Sequence, residues 1–421
     1  MNLLRFCNII LKNNSNHNIT VLDLNLEFHN LKFKTRFKTF NNYEDETKEF
    51  HNKSKDTYSK NNLKVVKGQN PELFKELLDL ILKHKPDLVA FSVVYSSQPF
   101  YTYALIKKLK ELNIKTIVGG PSISHKLIEE STYLKDEIEL LNYLKIEPKT
   151  NNKILDFNIY NLDKYFSPIT IIPIKTSNSC YYKQCAFCTH HNKNKYKEYP
   201  IKDIIETIIQ SKQKYFFLID DMISKPRLLK LAQAFKPLNI SWTCQLHPNK
   251  DLDKETLIVL KESGLKMIMW GVESGSPRIL KLMNKMTTDP KIIGKTLKDS
   301  HDAGIKNIAY IIFGFPSETK EEFIETIDFL KENDKSLDLV STSIFGLQSN
   351  SVIYNNPDKY NIKIIKEPRT ILDPKISYET SEGLTQKEAV KLRDKYKKSI
   401  ENINKYPKIM NYFREHMLCL L

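Results

Sequence analysis

The stretch SPITIIPIKTSNSCYYKQCAFC, residues 167–188, sets the reading of the whole chain. It opens as a strand-like apolar run and ends in three cysteines spaced C-x4-C-x2-C: Cys180, Cys185 and Cys188. Parallel β/α structures carry their sites on loops at the carboxyl ends of strands, which is where these thiols fall. Outward from here, strand-like runs recur at YFFLIDD (215–221), ISWTCQLH (240–247), KMIMWGVE (266–273), NIAYIIFGF (307–315) and DLVSTSIFGL (338–347). Helical patterns alternate with them: KDIIETIIQSKQK, PRLLKLAQAFKPL, KETLIVLKESG, PRILKLMNK, KIIGKTLKDSHDAG and KEEFIETIDFLKEN. Parallel neighbours need helical crossovers, so about six such units predict a partial (β/α)6 barrel of the TIM type over residues 167–347.

Upstream, NPELFKELLDLILKHKP places Phe74, Leu77, Leu78, Ile81 and Leu82 on one helical face, and DLVAFSVVYSS follows as a strand. TYALIKKLKELN and IKTIVGGPS repeat the unit, so residues 63–125 read as alternating helix and strand of the doubly wound kind, a partial Rossmann-like fold. The segment from about residue 40 to 62 is polar and Asn-rich without clear periodicity, and is expected to be loop or disordered. Residues 126–166 read as a linker. Residues 348–421 form a helical carboxy-terminal extension, with a long helix in TQKEAVKLRDKYKKSIENINK and an amphipathic end, PKIMNYFREHMLCLL, expected to pack on the barrel. The fold class is α/β throughout.

The chain has 421 residues and a net charge of +15, which by itself would suggest a nucleic-acid or membrane partner. Lys, Asn and Ile are abundant everywhere and Gly numbers only 11, the bias an A/T-rich coding sequence imposes, so the charge is discounted as a polyanion signal. No run reaches the roughly 18 apolar residues of a membrane span, and MNLLRFCNIILKNN lacks the form of a signal peptide. A cytoplasmic location is expected. Six cysteines in such a chain do not read as a disulfide framework, and Cys7, Cys244 and Cys419 read as buried or incidental thiols.

Three thiolates on one short loop suit three corners of a cubane cluster and leave the fourth iron open to a ligand. The competing reading is a zinc site completed by His190, His191 or His247. Further residues fall at later strand ends. Glu273 and Ser274 sit between Gly271 and Gly275, and two glycines this close in a glycine-poor chain point to a close backbone approach. Ser276 and Pro277 would start the next helix there as N-cap and first residue. In FGFPSETKEE, Gly314 and Pro316 form a turn, and Ser317 or Glu318 would cap a helix. Asp220 and Asp221 end the second barrel strand, where the pair would cap the next helix or suit an ammonium group of a ligand.

Together CYYKQCAFC, GVESGS and GFPSET resemble the radical S-adenosylmethionine (SAM) superfamily over residues 167–347. DLVAFSVV (87–94) and IKTIVGGPS (114–122) resemble its members with an amino-terminal cobalamin-binding-like domain, here residues 1–125. SNSVIYNNPDKYNI and YETSEGLTQKEA look like the extension of those members. The resemblance implies a 4Fe-4S cluster on the three cysteines and Phe187 against the adenine of SAM. It further implies Glu273 and Ser274 at the ribose or methionine, and the backbone of Gly314, Phe315 and Pro316 supporting the adenine. Two departures stand out: Ile219-Asp220-Asp221 replaces the usual Gly-Gly-Glu, and no Asp-x-His-x-x-Gly offers a histidine to cobalt.

The implied chemistry is reductive cleavage of SAM to a 5′-deoxyadenosyl radical that attacks an unreactive carbon, with an electron donor such as flavodoxin or ferredoxin. Cobalamin is left open as a further cofactor that would make the enzyme a C-methyltransferase. A peptide or small molecule is expected as substrate before a nucleic acid. An RNA-modifying enzyme of the same chemistry and a nonenzymatic zinc-binding protein stand as alternatives.

Overall fold

Short apolar strands alternating with amphipathic helices build two units, Met1–Thr170 with Glu367–Lys375, and Ile171–Lys366 with Ile376–Leu421. The computed structural model describes residues 17–33, 42–146, 154–189 and 195–421.

In the first unit, helices α1 (Leu24–Lys32), α2 (Tyr43–Val66) and α3 (Phe74–Leu82) precede strand β1 (Leu88–Ser92). Helix α4 (Gln98–Glu111), strand β2 (Lys115–Gly119), helix α5 (His125–Glu130), strand β3 (Thr132–Tyr133) and helix α6 (Glu137–Tyr143) follow. The three strands are parallel and lie in the order β1-β2-β3, with Ala90 opposite Ile117 and Ile117 opposite Thr132. Phe74, Leu78 and Ile81 of α3 pack on Leu105 and Leu109 of α4, as the periodicity of NPELFKELLDLILKHKP requires.

Two expectations are corrected here. The polar segment expected as loop is mostly the 24-residue helix α2. It is anchored by aromatic rings: Phe28 of α1 stacks on Tyr58 of α2 at 6.0 Å, and Phe50 of α2 stacks on Phe166 at 3.8 Å. His29 Nε2 meets the Tyr58 hydroxyl at 2.6 Å, and burial lowers the His29 pKa to about 4. Residues 126–166 are not a free linker, because they carry α5, β3 and α6 inside this unit. The strand order is sequential among the described residues, as in one half of a doubly wound sheet, which agrees with the partial Rossmann-like reading. Gly120 at the end of β2 has φ +118° and lies so close to Val93 that an added Cβ would sit 2.3 Å from its carbonyl oxygen.

The second unit starts with β4 (Ile171–Ile174), the paired two-residue strands β5 (Ser177–Asn178) and β6 (Lys197–Glu198), and α7 (Ile201–Ser211). Then come β7 (Tyr215–Leu218), α8 (Lys225–Phe235), β8 (Ser241–Leu246), α9 (Lys254–Glu262) and β9 (Leu265–Glu273). Helices α10 (Pro277–Leu282) and α11 (Pro290–Asp302), β10 (Lys306–Phe313), α12 (Lys320–Glu332) and β11 (Leu339–Ile344) complete the series. Six parallel strands lie in the order β4-β7-β8-β9-β10-β11, the open barrel read from the sequence.

Alternation fixes which side chains face the helices and which face the lumen. Trp270 Nε1 donates to Asn307 Oδ1 (2.8 Å), and Asn307 donates to the carbonyls of Leu297 and Ser336 on the helical layer. Gly271, Glu273, Tyr310 and Ser341 therefore lie on the opposite, lumenal side, with Gly271 opposite Tyr310 and Tyr310 opposite Ser341.

The extension begins with the short helix α13 (Val352–Asn355), and its long helix is α14 (Gln386–Glu401), which opens on a Thr385–Glu388 capping box; the turns Lys408–Asn411 and Arg414–Leu420 follow. It is not purely helical, because β12 (Ile362–Glu367) and β13 (Lys375–Thr380) pair as a two-stranded sheet. IKIIKE and KISYET alternate apolar with polar residues as half-buried strands do. The 367–375 connection groups with the first unit, where Asp373 accepts from the His125 backbone N–H at 2.8 Å.

Candidate metal and cofactor site

The cysteine loop is held from below by a buried carboxylate. Asp220, just past β7, accepts five hydrogen bonds, from the backbone N–H of Thr176 (two) and Ser177 and from both their hydroxyls, at 2.6–3.1 Å. Burial raises its pKa and these donors oppose the rise. With every donor supplied by the loop, Asp220 shapes the approach to Cys180 and does not reach out to an ammonium group, which corrects that expectation. Asp221 is exposed, 3.5 Å from Lys175.

From the other side the turn after α10 grips the loop. Ala186 N–H donates to the Met283 carbonyl (2.9 Å), Asn284 Nδ2 donates to the Gln184 carbonyl (2.9 Å), and the Tyr182 hydroxyl donates to the Asn284 carbonyl (2.8 Å). Ser179 and Lys183 take left-handed φ values of 65° and 55°, which curl the chain around the thiols. All three cysteines are half-buried. Burial pushes the Cys185 thiol up to about 11, partly offset by Lys285, and Cys180 and Cys188 lie close enough to oppose its ionisation further. A metal binding there must therefore displace a proton. Among the described residues no three His, Cys, Asp or Glu side chains converge on one point as ligands of a single ion would.

Beside the loop lies an ion pair that the sequence reading only half anticipated. Glu273 Oε1 accepts from Lys285 Nζ at 3.1 Å, and both residues are buried, 8% and 9% exposed. Lys285 Nζ also stands 5.8 Å from the ring of Phe187. Glu273 has φ +70°, and its carboxylate folds back over Gly271, where an added Cβ would sit 2.8 Å from Oε1. The close approach inferred from the glycines is thus made by the protein's own side chains; Gly275 likewise lies against Phe329 and Thr326. A signal for Lys285 was present, as the second lysine in the apolar run ILKLMNKM.

Other expected residues are turned elsewhere. Ser274 is fully buried, with its hydroxyl against the Thr326 hydroxyl (3.1 Å) and accepting from Ser276 N–H, so its side chain serves the turn. Ser276 makes no side-chain cap bond, although Pro277 does occupy the first helical position. Neither Ser317 nor Glu318 caps α12; Thr319 does, in a capping box with Glu322. Glu318 is instead fully buried: Oε2 accepts from Gly314 N–H at 2.5 Å, Oε1 has no partner among the described residues, and burial raises its pKa to about 8. Phe315 sits in one apolar cluster with Ala186, Ile279, Met283 and Phe345, against which Phe187 packs, so the GFPSET turn and the cysteine loop share a core. Pro316 is buried beside it.

The zinc alternative loses one ligand to structure. His247 has Nδ1 3.0 Å from the Gly271 carbonyl and Nε2 accepting from Thr287 N–H, and burial followed by Lys285 lowers its pKa to about 3. His190 and His191, like Cys7, lie outside the described residues. Cys244 is fully buried in β8. No helix among the described residues is long and apolar enough to cross a membrane.

Comparison with known proteins agrees with this geometry. An uncharacterized methyltransferase of Pyrococcus horikoshii is 25% identical over 324 residues, 65% of this chain and 70% of that protein. The cytidylyl-2-hydroxyethylphosphonate methyltransferase of Streptomyces wedmorensis is 27% identical over 198 residues, 41% of this chain and 37% of that protein, so the match spans little more than a third of it. The radical S-adenosylmethionine methyltransferase TsrM of Kitasatospora setae, solved with cobalamin and a [4Fe-4S] cluster bound, shares the fold with a TM-score of 0.51 at 12% identity, covering 72% of this chain and 74% of that one. Residues 174–330, which hold the cysteine loop, the Glu273 turn and the GFPSET turn, match the model of the radical SAM superfamily, so this part of the chain is a radical SAM domain.

Proposed function

We propose that Cys180, Cys185 and Cys188 hold the 4Fe-4S cluster of this radical SAM enzyme, with SAM bound between Phe187, the Glu273–Lys285 pair and the Gly314–Pro316 backbone, and that the product is a methylated carbon of a small molecule or peptide. The observation that carries the reading is the loop itself: three thiols, clamped by Asp220 on one side and Met283 and Asn284 on the other, beside a buried ion pair. The residues fit the cluster. Ser179 Oγ, next to Cys180, is buried with no partner among the described residues, and the Cys185 thiol is desolvated as a low-potential cluster requires. When bound, such a cluster supplies one electron and an open iron to SAM, whose cleavage gives a 5′-deoxyadenosyl radical.

This chain's own residues then bind, orient and exclude water. Lys285 holds one oxygen of the Glu273 carboxylate and leaves the other to accept hydrogen bonds from SAM. The apolar cluster of Ala186, Met283 and Phe315 keeps the loop and turn dry. Methyl transfer is favoured because the two sequence relatives are named methyltransferases and the solved neighbour is one with cobalamin bound. In that reading the first unit would hold cobalamin, and a flavodoxin or ferredoxin would deliver the electron.

Two measurements test this. Anaerobically reconstituted protein is expected to hold about four irons and, with a strong reductant, to release 5′-deoxyadenosine from SAM. After incubation with hydroxocobalamin and desalting, near-stoichiometric corrinoid should remain in the absorption spectrum. SAM cleavage without retained corrinoid would refute cobalamin-dependent methyl transfer and leave hydrogen abstraction as the reaction.

A further inference from the structure

The end of the chain crosses the open side of the barrel. At the free edge of β11, Lys405 N–H donates to the Asp338 carbonyl, Asn404 Oδ1 accepts from Val340 N–H, and Asn411 Nδ2 donates to the Val340 carbonyl. Beyond it the turn Arg414–Leu420 reaches β8, with His416, Met417 and Leu418 buried. These contacts carry one guanidinium onto the lumenal face. Arg414 lies 4.7 Å from the centre of the Tyr310 ring and donates to Ser341 Oγ at 3.1 Å. Tyr310 and Ser341 face each other across β10 and β11, and Tyr310 stands opposite Gly271, over which the Glu273 carboxylate folds.

Arg414 is half-buried, yet no carboxylate lies within salt-bridge distance of it among the described residues. Glu273 is committed to Lys285. Glu415, the neighbour in sequence, is held toward its neutral form by burial. A guanidinium has five N–H donors, and the hydroxyls of Ser341 and Tyr310 with one ring face leave part of its fork unused. A partly desolvated cation with free donors, on the same wall as the proposed SAM site, is what an anionic ligand requires.

We propose that Arg414 anchors the substrate, binding a carboxylate or phosphate group of the molecule that enters the barrel. The inference rests on the functional reading above by placing the substrate in the lumen beside Glu273. It excludes substrates that bring no anion to this depth, and it gives the carboxy-terminal segment a role in specificity besides covering the β11 edge.

The test is anion binding by the full-length protein, read from the rise of its thermal midpoint with inorganic phosphate or with acetate at constant ionic strength, chloride making up the balance. R414Q should raise the apparent dissociation constant of the bound anion about tenfold or more, the cost of losing a charged hydrogen bond. R414K keeps the charge without the fork and should fall between. K202Q, at an exposed position on α7, should bind as the parent does. A phosphate effect that Arg414 controls identifies a phosphate ester as substrate, and an acetate effect a carboxylic acid; either supports the anchor. Equal stabilisation of parent and R414Q, or no anion effect in the parent, overturns it. If R414Q does not fold, undiminished binding by R414K overturns it as well. SAM cleavage by the parent is scored separately, so loss of the anchor with intact cleavage refutes only this inference.

Discussion

The barrel and the amino-terminal unit solve the same packing problem with different materials. In the barrel, Trp242, Trp270, Phe216, Phe235, Phe313, Phe315 and Phe323 are all fully buried, whereas the largest fully buried side chains of the other unit are Leu105, Ile106, Leu109 and Leu127. Strand β1 leaves Ala90 and Ser92 exposed, and the three-stranded sheet is supplemented by rings of α1 and α2 and by a stripe of small polar residues. Large buried rings fix a scaffold tightly, and the thiols, Glu273 and Lys285 stand on that scaffold. The chemistry therefore belongs to the half of the molecule whose geometry is the more rigidly determined.

The largest effect expected from this contrast is all or none. Replacing Cys180, Cys185 and Cys188 together by Ala should abolish both iron binding and SAM cleavage, while Cys244→Ala, a thiol on β8 facing the helices, should retain the cluster by iron analysis. Iron retained by the triple variant would remove the loop from the metal site.

The next effect concerns pH. Burial lifts the Glu318 carboxyl from 4.5 to about 8, so between those values the folded protein holds a proton that the unfolded chain has released. Stability should then fall as pH rises from about 5 to about 8 and level off above, by up to a few kcal/mol. E318Q, which cannot ionise, should show a flatter urea-midpoint profile and exceed the parent in stability at pH 8.5. An unchanged profile would mean that Glu318 is ionised when folded and finds another partner for Oε1.

Smaller again is the effect on SAM. Glu273→Ala should weaken SAM binding by roughly ten- to hundredfold in equilibrium titration, because it removes a charged acceptor and leaves the Lys285 ammonium buried without its partner. Glu318→Ala should weaken it less, since among the described residues the Glu318 carboxylate accepts a hydrogen bond from the Gly314 N–H of its own turn alone. Equal small losses would place SAM elsewhere.

Much of this was readable from residue order, for physical reasons that differ along the chain. The barrel strands announce themselves because both their faces are buried, giving runs such as KMIMWGVE and NIAYIIFGF, and the intervening helices bury one apolar face each. The cysteine loop is explicit in its spacing. Asp220 and Ser274 misled because an acid and a hydroxyl at a strand end suit a ligand and the protein's own backbone equally well, and only the fold shows that Thr176, Ser177 and Thr326 take them. Lys285 and Arg414 were missed because their partners are distant in sequence, Glu273 across a helix and Tyr310 across a hundred residues. Helix α2 escaped because its buried stripe, Tyr43, Thr47, Ser54, Asn61 and Val65, follows helical spacing in residues that are mostly polar.

That stripe supplies the finest test of the contrast. Thr47 Oγ1 and Ser54 Oγ are buried without partners among the described residues, so each hydroxyl has surrendered its water for nothing in return. Thr47→Val and Ser54→Ala should therefore be neutral or raise stability, by up to about 1 kcal/mol each, because removing an unsatisfied buried polar group removes its desolvation cost. Asn61→Ala should do the reverse and lose up to about 1 kcal/mol, since Asn61 Oδ1 accepts from Glu72 N–H at 2.8 Å and its removal strands that donor, a loss offset in part by removing its buried Nδ2, which has no partner among the described residues. Urea unfolding with an unchanged slope gives all three values. The opposite signs are the point. Within one helix face they separate polar groups that hold the unit together from polar groups it merely tolerates, and a loss of stability in Thr47→Val or Ser54→Ala would show that these hydroxyls do have partners and that the amino-terminal unit is built as tightly as the barrel.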